Sequence, residues 1–211
     1  FYFQHEIPTA YFKMYEGKEA VADALNRGEW SYPVVWKARK GGYDGRGVQI
    51  LRTKDQLQDL PDVACFLEEY IPIEKEFACL GVRGSTGEVS TYPVVGMRFH
   101  PEANQVEEVY VPGDLDPATE KRVQEITVDL LEKLEHVGLL AVEFIIGPDG
   151  ELLVNEAAPR PHNSGHIFSD TAYTSQFEQH IRAVCGMPLG STRLQQAGSM
   201  INLVGDADAS G

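Results

Sequence analysis

Residues 141–156 carry two acids in an apolar setting. Glu143 sits among Ala141, Val142, Phe144 and Ile145, and Glu156 follows Leu152, Leu153, Val154 and Asn155. A carboxylate among such neighbours loses hydration without compensation, so it is normally neutralised, paired or bound to metal. Hard oxygen donors suit Mg2+, which takes one or two protein carboxylates and leaves its other positions to water and phosphate oxygens. The same residues also read as half-exposed strand acids or as partners of a buried arginine.

A second group is rich in glycine: Gly41, Gly42, Gly45 and Gly47 fall within seven positions, bracketed by Lys37 and Arg46. Glycines let backbone N–H groups approach phosphates closely and form an anion-binding nest. Neither GxxxxGK[ST] nor a GxGxxG run opening a helix is present, and an ordinary glycine-rich hairpin is the alternative. Third, the apolar run 64–71 turns acidic at Glu68 and Glu69, and Glu76 heads the next run. A carboxylate such as Glu76 suits the two hydroxyls of a ribose, and the peptide groups of Glu69, Tyr70 and Ile71 suit an adenine edge. Without that context both acids read as solvated.

Strands and tight turns must position these groups. Gly147-Pro148-Asp149-Gly150 separates two apolar runs as a hairpin turn. A four-residue loop sets Glu143 opposite Val154 and Glu156 opposite Ala141, making the acids diagonal neighbours on one face, roughly 7–8 Å apart at Cα. A three-residue loop instead sets Asn155 opposite Glu143 and turns Glu156 to the other face. We expect the first. Residues 33–37, 48–51, 64–71, 76–82, 89–95 and 106–111 read as further strands, with a turn over 84–87. Helices are expected over 18–27, over 53–60 after Thr53, and from the Asp116-Pro117 cap to Gly138 with Val123, Ile126, Leu130, Leu131, Leu134 and Val137 inside. A last helix, 175–185, is expected to bury Phe177, Ile181 and Val184.

The bulk composition narrows the function. A chain of 211 residues with 43% hydrophobic content can bury a sizeable core. No apolar run approaches the roughly 20 residues that cross a bilayer, and the start lacks the order of a signal peptide. The opening without Met reads as part of something longer. A net charge of −14 argues against nucleic acid or anionic membrane as partner. Cys65, Cys79 and Cys185 form no CxxC pair, which fits a reducing cytoplasm and no structural zinc.

Lysine at a strand end, a glycine loop, an acidic strand end and two metal-ready glutamates, in that order, resemble the ATP-grasp superfamily. The strings Gly42-Tyr43-Asp44-Gly45-Arg46-Gly47 and Arg160-Pro161-His162-Asn163-Ser164-Gly165-His166, with Thr174-Ser175-Gln176-Phe177-Glu178-Gln179-His180, look like its 5-(carboxyamino)imidazole ribonucleotide synthetases. The resemblance implies an α+β fold: two lobes of antiparallel sheet flanked by helices, residues 1–71 and 72–190, with the nucleotide site between them. Residues 191–211 would begin a C-terminal segment, and the family's N-terminal α/β domain is missing. It implies an ADP-forming ligase using ATP and Mg2+, or Mn2+, to carboxylate aminoimidazole ribonucleotide with bicarbonate, homodimeric when full-length.

Carried over by position, Lys37 and the loop Gly42, Tyr43, Asp44, Gly45, Arg46, Gly47 and Val48 would hold ATP phosphates. Glu68, Glu69, Tyr70 and Ile71 would meet adenine, Glu76 the ribose, and Glu143, Asn155 and Glu156 the metal, the last two also lining the ATP site. Arg160, His162 and Asn163 would surround bicarbonate and carboxyphosphate, with Tyr43, Asp44 and Arg46 nearer the ribonucleotide. The run 97–102 departs from the family form, so nothing is carried over there. The rival readings are another ATP-grasp ligase using formate or biotin, a non-catalytic Mg-ATP-binding fragment, and a metal-independent hydrolase with Glu143 and Glu156 as its acid and base.

Overall fold

Apolar runs of alternating or continuous pattern pair into two antiparallel sheets in the computed structural model, which describes residues 1–41, 47–99 and 106–203. The chain divides into two compact units, Thr9–Pro72 and a larger one formed by Phe1–Pro8 with Ile73–Gly211.

In the unit Thr9–Pro72, β1 (Phe12–Tyr15) is followed by α1 (Lys18–Asn26), β2 (Val34–Ala38), β3 (Val48–Leu51) and β4 (Cys65–Glu69). The sheet order is β1-β4-β2-β3. Alternation along β2 and β4 sends Val34, Trp36, Cys65 and Leu67 into a core with Val21 and Ala24 of α1. Lys37 and Glu68 therefore occupy the opposite face of the sheet. Residues 54–59 form a 3-10 turn rather than an α-helix.

The larger unit continues with β5 (Lys75–Arg83), β6 (Val89–Thr91), β7 (Val95–Phe99), β8 (Val106–Val111), α2 (Pro117–Lys133), β9 (Gly138–Ile146), β10 (Leu152–Ala158), α3 (Phe168–Thr171), α4 (Gln176–Val184) and β11 (Gly198–Ile201). Its sheet runs β10-β9-β5-β7-β8-β11, with β6 also pairing with β5. Side chains of α2 pack on one face against Phe77, Cys79, Val142, Phe144 and Val154. Ala78, Leu80, Leu139 and Ala141 line the other face, under Phe168 of α3 and Ala183 of α4. Glu76, Glu143 and Glu156 belong to that second face.

The structure corrects several expectations. The expected strand 89–95 divides at Tyr92-Pro93, because proline cannot donate to a ladder. The α2 helix starts as expected, with Asp116 capping Ala118 and Thr119, but it stops at Lys133 and leaves Leu134 and Val137 exposed. Glu135 then takes a left-handed φ of 49°, and Gly138 opens β9. On α4 the expected inner face is outside: Phe177, Ile181 and Val184 are exposed, whereas Gln176, Gln179 and Ala183 are buried. Phe1–Pro8 belongs with the larger unit, where Val154 N–H donates to Pro8 C=O at 2.8 Å and Ile7 is buried. Residues 198–201 add a last strand to the larger sheet by pairing with β8.

Candidate functional site

The turn after β9 decides where the acids point. Gly147 N–H donates to Glu151 C=O at 3.2 Å and Ile146 pairs with Leu152, which is the three-residue loop, and the expected four-residue register is corrected. Gly150, at φ 76°, supplies the left-handed residue this turn needs. Continued unbroken, that register would turn Glu156 away from Glu143. A β-bulge at Asn155 adds one residue and restores the parity, so Glu156 lies directly opposite Glu143. The two acids share a face as direct rather than diagonal partners, with Cβ atoms about 4.5–5.5 Å apart by the geometry of such pairs. Asn155 is the inserted residue itself.

Glu76 joins them. On β5, Ala78 pairs with Glu143 and Glu76 with Ile145, so Glu76 is a diagonal neighbour of Glu143 on the same face. Burial, then Glu156, then Glu76 push the Glu143 carboxyl up to about 8. Burial alone pushes Glu76 up to about 7. Tyr2, from the N-terminal segment, is raised by burial and by Glu156. Among the described residues no three His, Cys, Asp or Glu side chains converge into a metal cage.

After β10 the chain turns through Pro159 and Pro161 and places His162 over Glu143, Nε2 to Oε1 3.7 Å, with both side chains only 13% exposed. Ser164 sits on the other ring nitrogen: its Oγ lies 3.0 Å from Nδ1, and its N–H points at Nδ1 from 3.4 Å. That main-chain donor favours a lone pair on Nδ1 and the ring hydrogen on Nε2, facing the acid. Gly165 follows in the 3-10 turn Asn163–Gly165, where a Cβ would run into Leu80 Cδ2 and Gln176 Oε1.

Two other residues of this string are occupied within the protein. Arg160 is exposed, and its Nη1 donates to Pro161 C=O at 3.0 Å. The Asn163 amide exchanges hydrogen bonds with Asn202, 2.9 Å one way and 3.0 Å the other, and Asn202 also donates to Val106 C=O. Asn163 is therefore tied to the chain beyond β11. Sequence reading gave no site role to Asn202, Ser164, Tyr2 or Gln176, since none belongs to a pattern of metal or phosphate ligands.

In the unit Thr9–Pro72 the structure brings Lys37 and Glu68 together, Nζ to Oε1 2.6 Å, both largely buried. They are diagonal neighbours, Lys37 pairing with Phe66 and Val35 with Glu68. Val48 pairs with Lys37, and Gly47 C=O accepts from Ala38 N–H. Glu69 is exposed, with its N–H donating to Tyr11 C=O at 2.8 Å. Tyr70 lies under the Arg52 guanidinium, and Ile71 follows beyond the strand end. Gly42, Tyr43, Asp44, Gly45 and Arg46 lie outside the described residues.

Two antiparallel sheets flanked by helices meet their counterpart in known proteins: residues 1–177 match the ATP-grasp domain, and the chain belongs to that family. Its curated relatives include the N5-carboxyaminoimidazole ribonucleotide synthase of Bacillus subtilis, 43% identical over 182 residues, covering 84% of this chain and 47% of that protein. An ADP complex of an N5-carboxyaminoimidazole ribonucleotide synthetase superimposes with a TM-score of 0.87 at 38% identity, over 94% of this chain and 53% of that one. The ATP complex of the Aspergillus clavatus carboxyaminoimidazole ribonucleotide synthase gives a TM-score of 0.89 at 26% identity, over 98% and 55%. The fold and the family expected from the motifs are borne out. The chain spans about half the length of the curated relatives it matches.

Proposed function

We propose that this chain is the ATP-grasp part of an ATP- and Mg2+-dependent, ADP-forming ligase. The enzyme makes carboxyphosphate from bicarbonate and carboxylates 5-aminoimidazole ribonucleotide to the N5-carboxyamino product in purine biosynthesis. The observation that carries the reading is the face-to-face pair Glu143 and Glu156 under His162, in a chain whose relatives bear that synthase name. Three unpaired thiols support a place in the reducing cytoplasm.

The donor set fits Mg2+, or Mn2+, because Glu143, Glu156 and the amide of Asn155 offer oxygen, and the buried Glu143 carboxyl beside two other acids needs positive charge. When bound, the cation would offset the charge gathered as a phosphoryl group moves between two anions. Lys37 and the N–H groups of residues 42–48 would hold the ATP phosphates, with Glu68 keeping the Lys37 ammonium at the strand end. Glu68, Glu69, Tyr70 and Ile71 would meet adenine, and Glu76 the ribose. Arg160, with the Asn163 amide hydrogen that Asn202 does not use, would attract bicarbonate and carboxyphosphate. His162 would help to move the proton of the substrate amine. Tyr43, Asp44 and Arg46 would contact the ribonucleotide.

The test measures ADP release by the full-length enzyme with aminoimidazole ribonucleotide, formate or biotin as acceptor. Release that rises with the ribonucleotide alone supports the reading. Glu156→Gln should then abolish Mg2+-dependent turnover with the circular dichroism spectrum unchanged; full activity in that variant removes Glu156 from the metal site. Nucleotide binding with no ADP under any acceptor would leave only a binding module, and turnover in chelator would point to metal-free hydrolysis.

A further inference from the structure

Gln176 lies in the first turn of α4 with none of its surface exposed. Its amide grips the main chain of His162 at both ends: Oε1 accepts the His162 N–H at 2.9 Å, and Nε2 donates to the His162 C=O at 2.8 Å. A peptide N–H can only donate and a peptide C=O can only accept, so these two bonds fix which end of the amide is nitrogen. Turning the amide over would set donor against donor and acceptor against acceptor inside the protein, where unpaired groups are costly.

That orientation has a consequence for a second ring. The other Nε2 hydrogen of Gln176 is left facing His166 Nδ1, 3.1 Å away. A ring nitrogen that accepts carries no hydrogen, so neutral His166 must hold its hydrogen on Nε2. The ring is also stacked on Phe177 of the same helix, centroids 5.5 Å apart and planes inclined by 23°. Gly165 permits the approach, since a Cβ there would strike Gln176 Oε1. One side chain thus sets the path of the loop at His162 and the tautomer of His166.

We infer that Gln176 is a positioning residue, which aims the His162 ring at Glu143 through the His162 main chain and holds His166 in its Nε2–H form. Gln179, one turn further along, provides an internal control. It is equally buried and grips Gly190 in the same two-ended way, N–H to Oε1 at 2.7 Å and Nε2 to C=O at 2.8 Å, so the main chain its amide holds is that of Gly190 and not that of His162. The effect on turnover rests on the ligase reading above; the tautomer does not.

The first measurement is a long-range nitrogen–proton correlation spectrum of the His166 ring in this 211-residue chain at pH 8 without nucleotide. A single Nε2–H form is expected in the native chain, relaxing to a mixture of tautomers in Gln176→Met. A native ring with its hydrogen on Nδ1 overturns the inference, whether or not the variant folds. In the full-length enzyme Gln176→Met should lower kcat by about 10²-fold, as misplacing a reacting group by about an ångström does, while the KM for ATP changes by less than about twofold. Gln179→Met should lose comparable stability and keep kcat. Equal kcat losses in the two variants would reduce Gln176 to a packing role. A full-length enzyme that never carboxylates the ribonucleotide would sink the ligase reading and leave the tautomer result standing.

Discussion

Glu143 lies in an environment far from what a carboxylate prefers. A buried carboxyl beside Glu156 and Glu76 holds its proton up to about pH 8, against 4.5 for an ordinary glutamate. Between those values the folded chain binds a proton that the unfolded chain has released, so stability falls as pH rises through that window. Glu143→Gln removes the titration and keeps the shape. In the metal-free chain it should raise Tm at pH 8.5 and do much less at pH 5. Relief of about 1 kcal/mol corresponds to roughly 2–4 °C for a protein of this size, read by differential scanning calorimetry. A variant less stable than the native chain at pH 8.5 would mean that Glu143 is compensated by a partner other than the cation.

Among the elements, the β9–β10 hairpin and α4 show what a sequence pattern carries and where it stops. The alternation of apolar residues marked both hairpin strands and put two acids among them, and that much was legible. Their facing was not, because it depends on parity: the turn is one pairing step away from the expected one, and the bulge at Asn155 adds the step that restores the shared face. Bulges leave little trace in composition. On α4 the spacing of Phe177, Ile181 and Val184 was read correctly as one face and assigned to the wrong side. The helix buries its glutamines because Gln176 and Gln179 satisfy the main chain of neighbouring loops at both ends. Ile181→Gln should therefore change stability by less than about 0.5 kcal/mol, as at other exposed sites. Gln179→Ala, which orphans the Gly190 N–H and C=O, should cost about 1–3 kcal/mol in urea unfolding. The reverse ranking would restore the apolar face to the core. The site residues carried over by resemblance rest on strings that are distinctive. Asn202, which holds Asn163 from 39 positions away, had no such string.

For the molecule as a whole, a net charge of −14 means that an anionic nucleotide must be captured by local donors and by the cation it brings. Binding to the folded chain alone stabilises it, by about 2.7 kcal/mol at a ligand concentration of 100 times Kd. Mg-ATP should accordingly raise the Tm of this chain in a concentration-dependent way, and EDTA should cancel most of the gain. An equal shift with ATP and EDTA together would make the nucleotide site independent of the acid pair.

The strand that carries Glu156 is the last in its sheet, and a bare margin of that kind can zip onto a second molecule. Pro8 shields it by accepting the Val154 N–H, and Ile7 and the Lys133 contact to the His5 carbonyl anchor the strap. Cutting away Phe1–Pro8 should leave a chain that still folds but turns sticky, eluting from a sizing column at masses that climb with protein concentration. The opening residues would then act as a selvedge, keeping the acidic strand open to small ligands and closed to copies of itself.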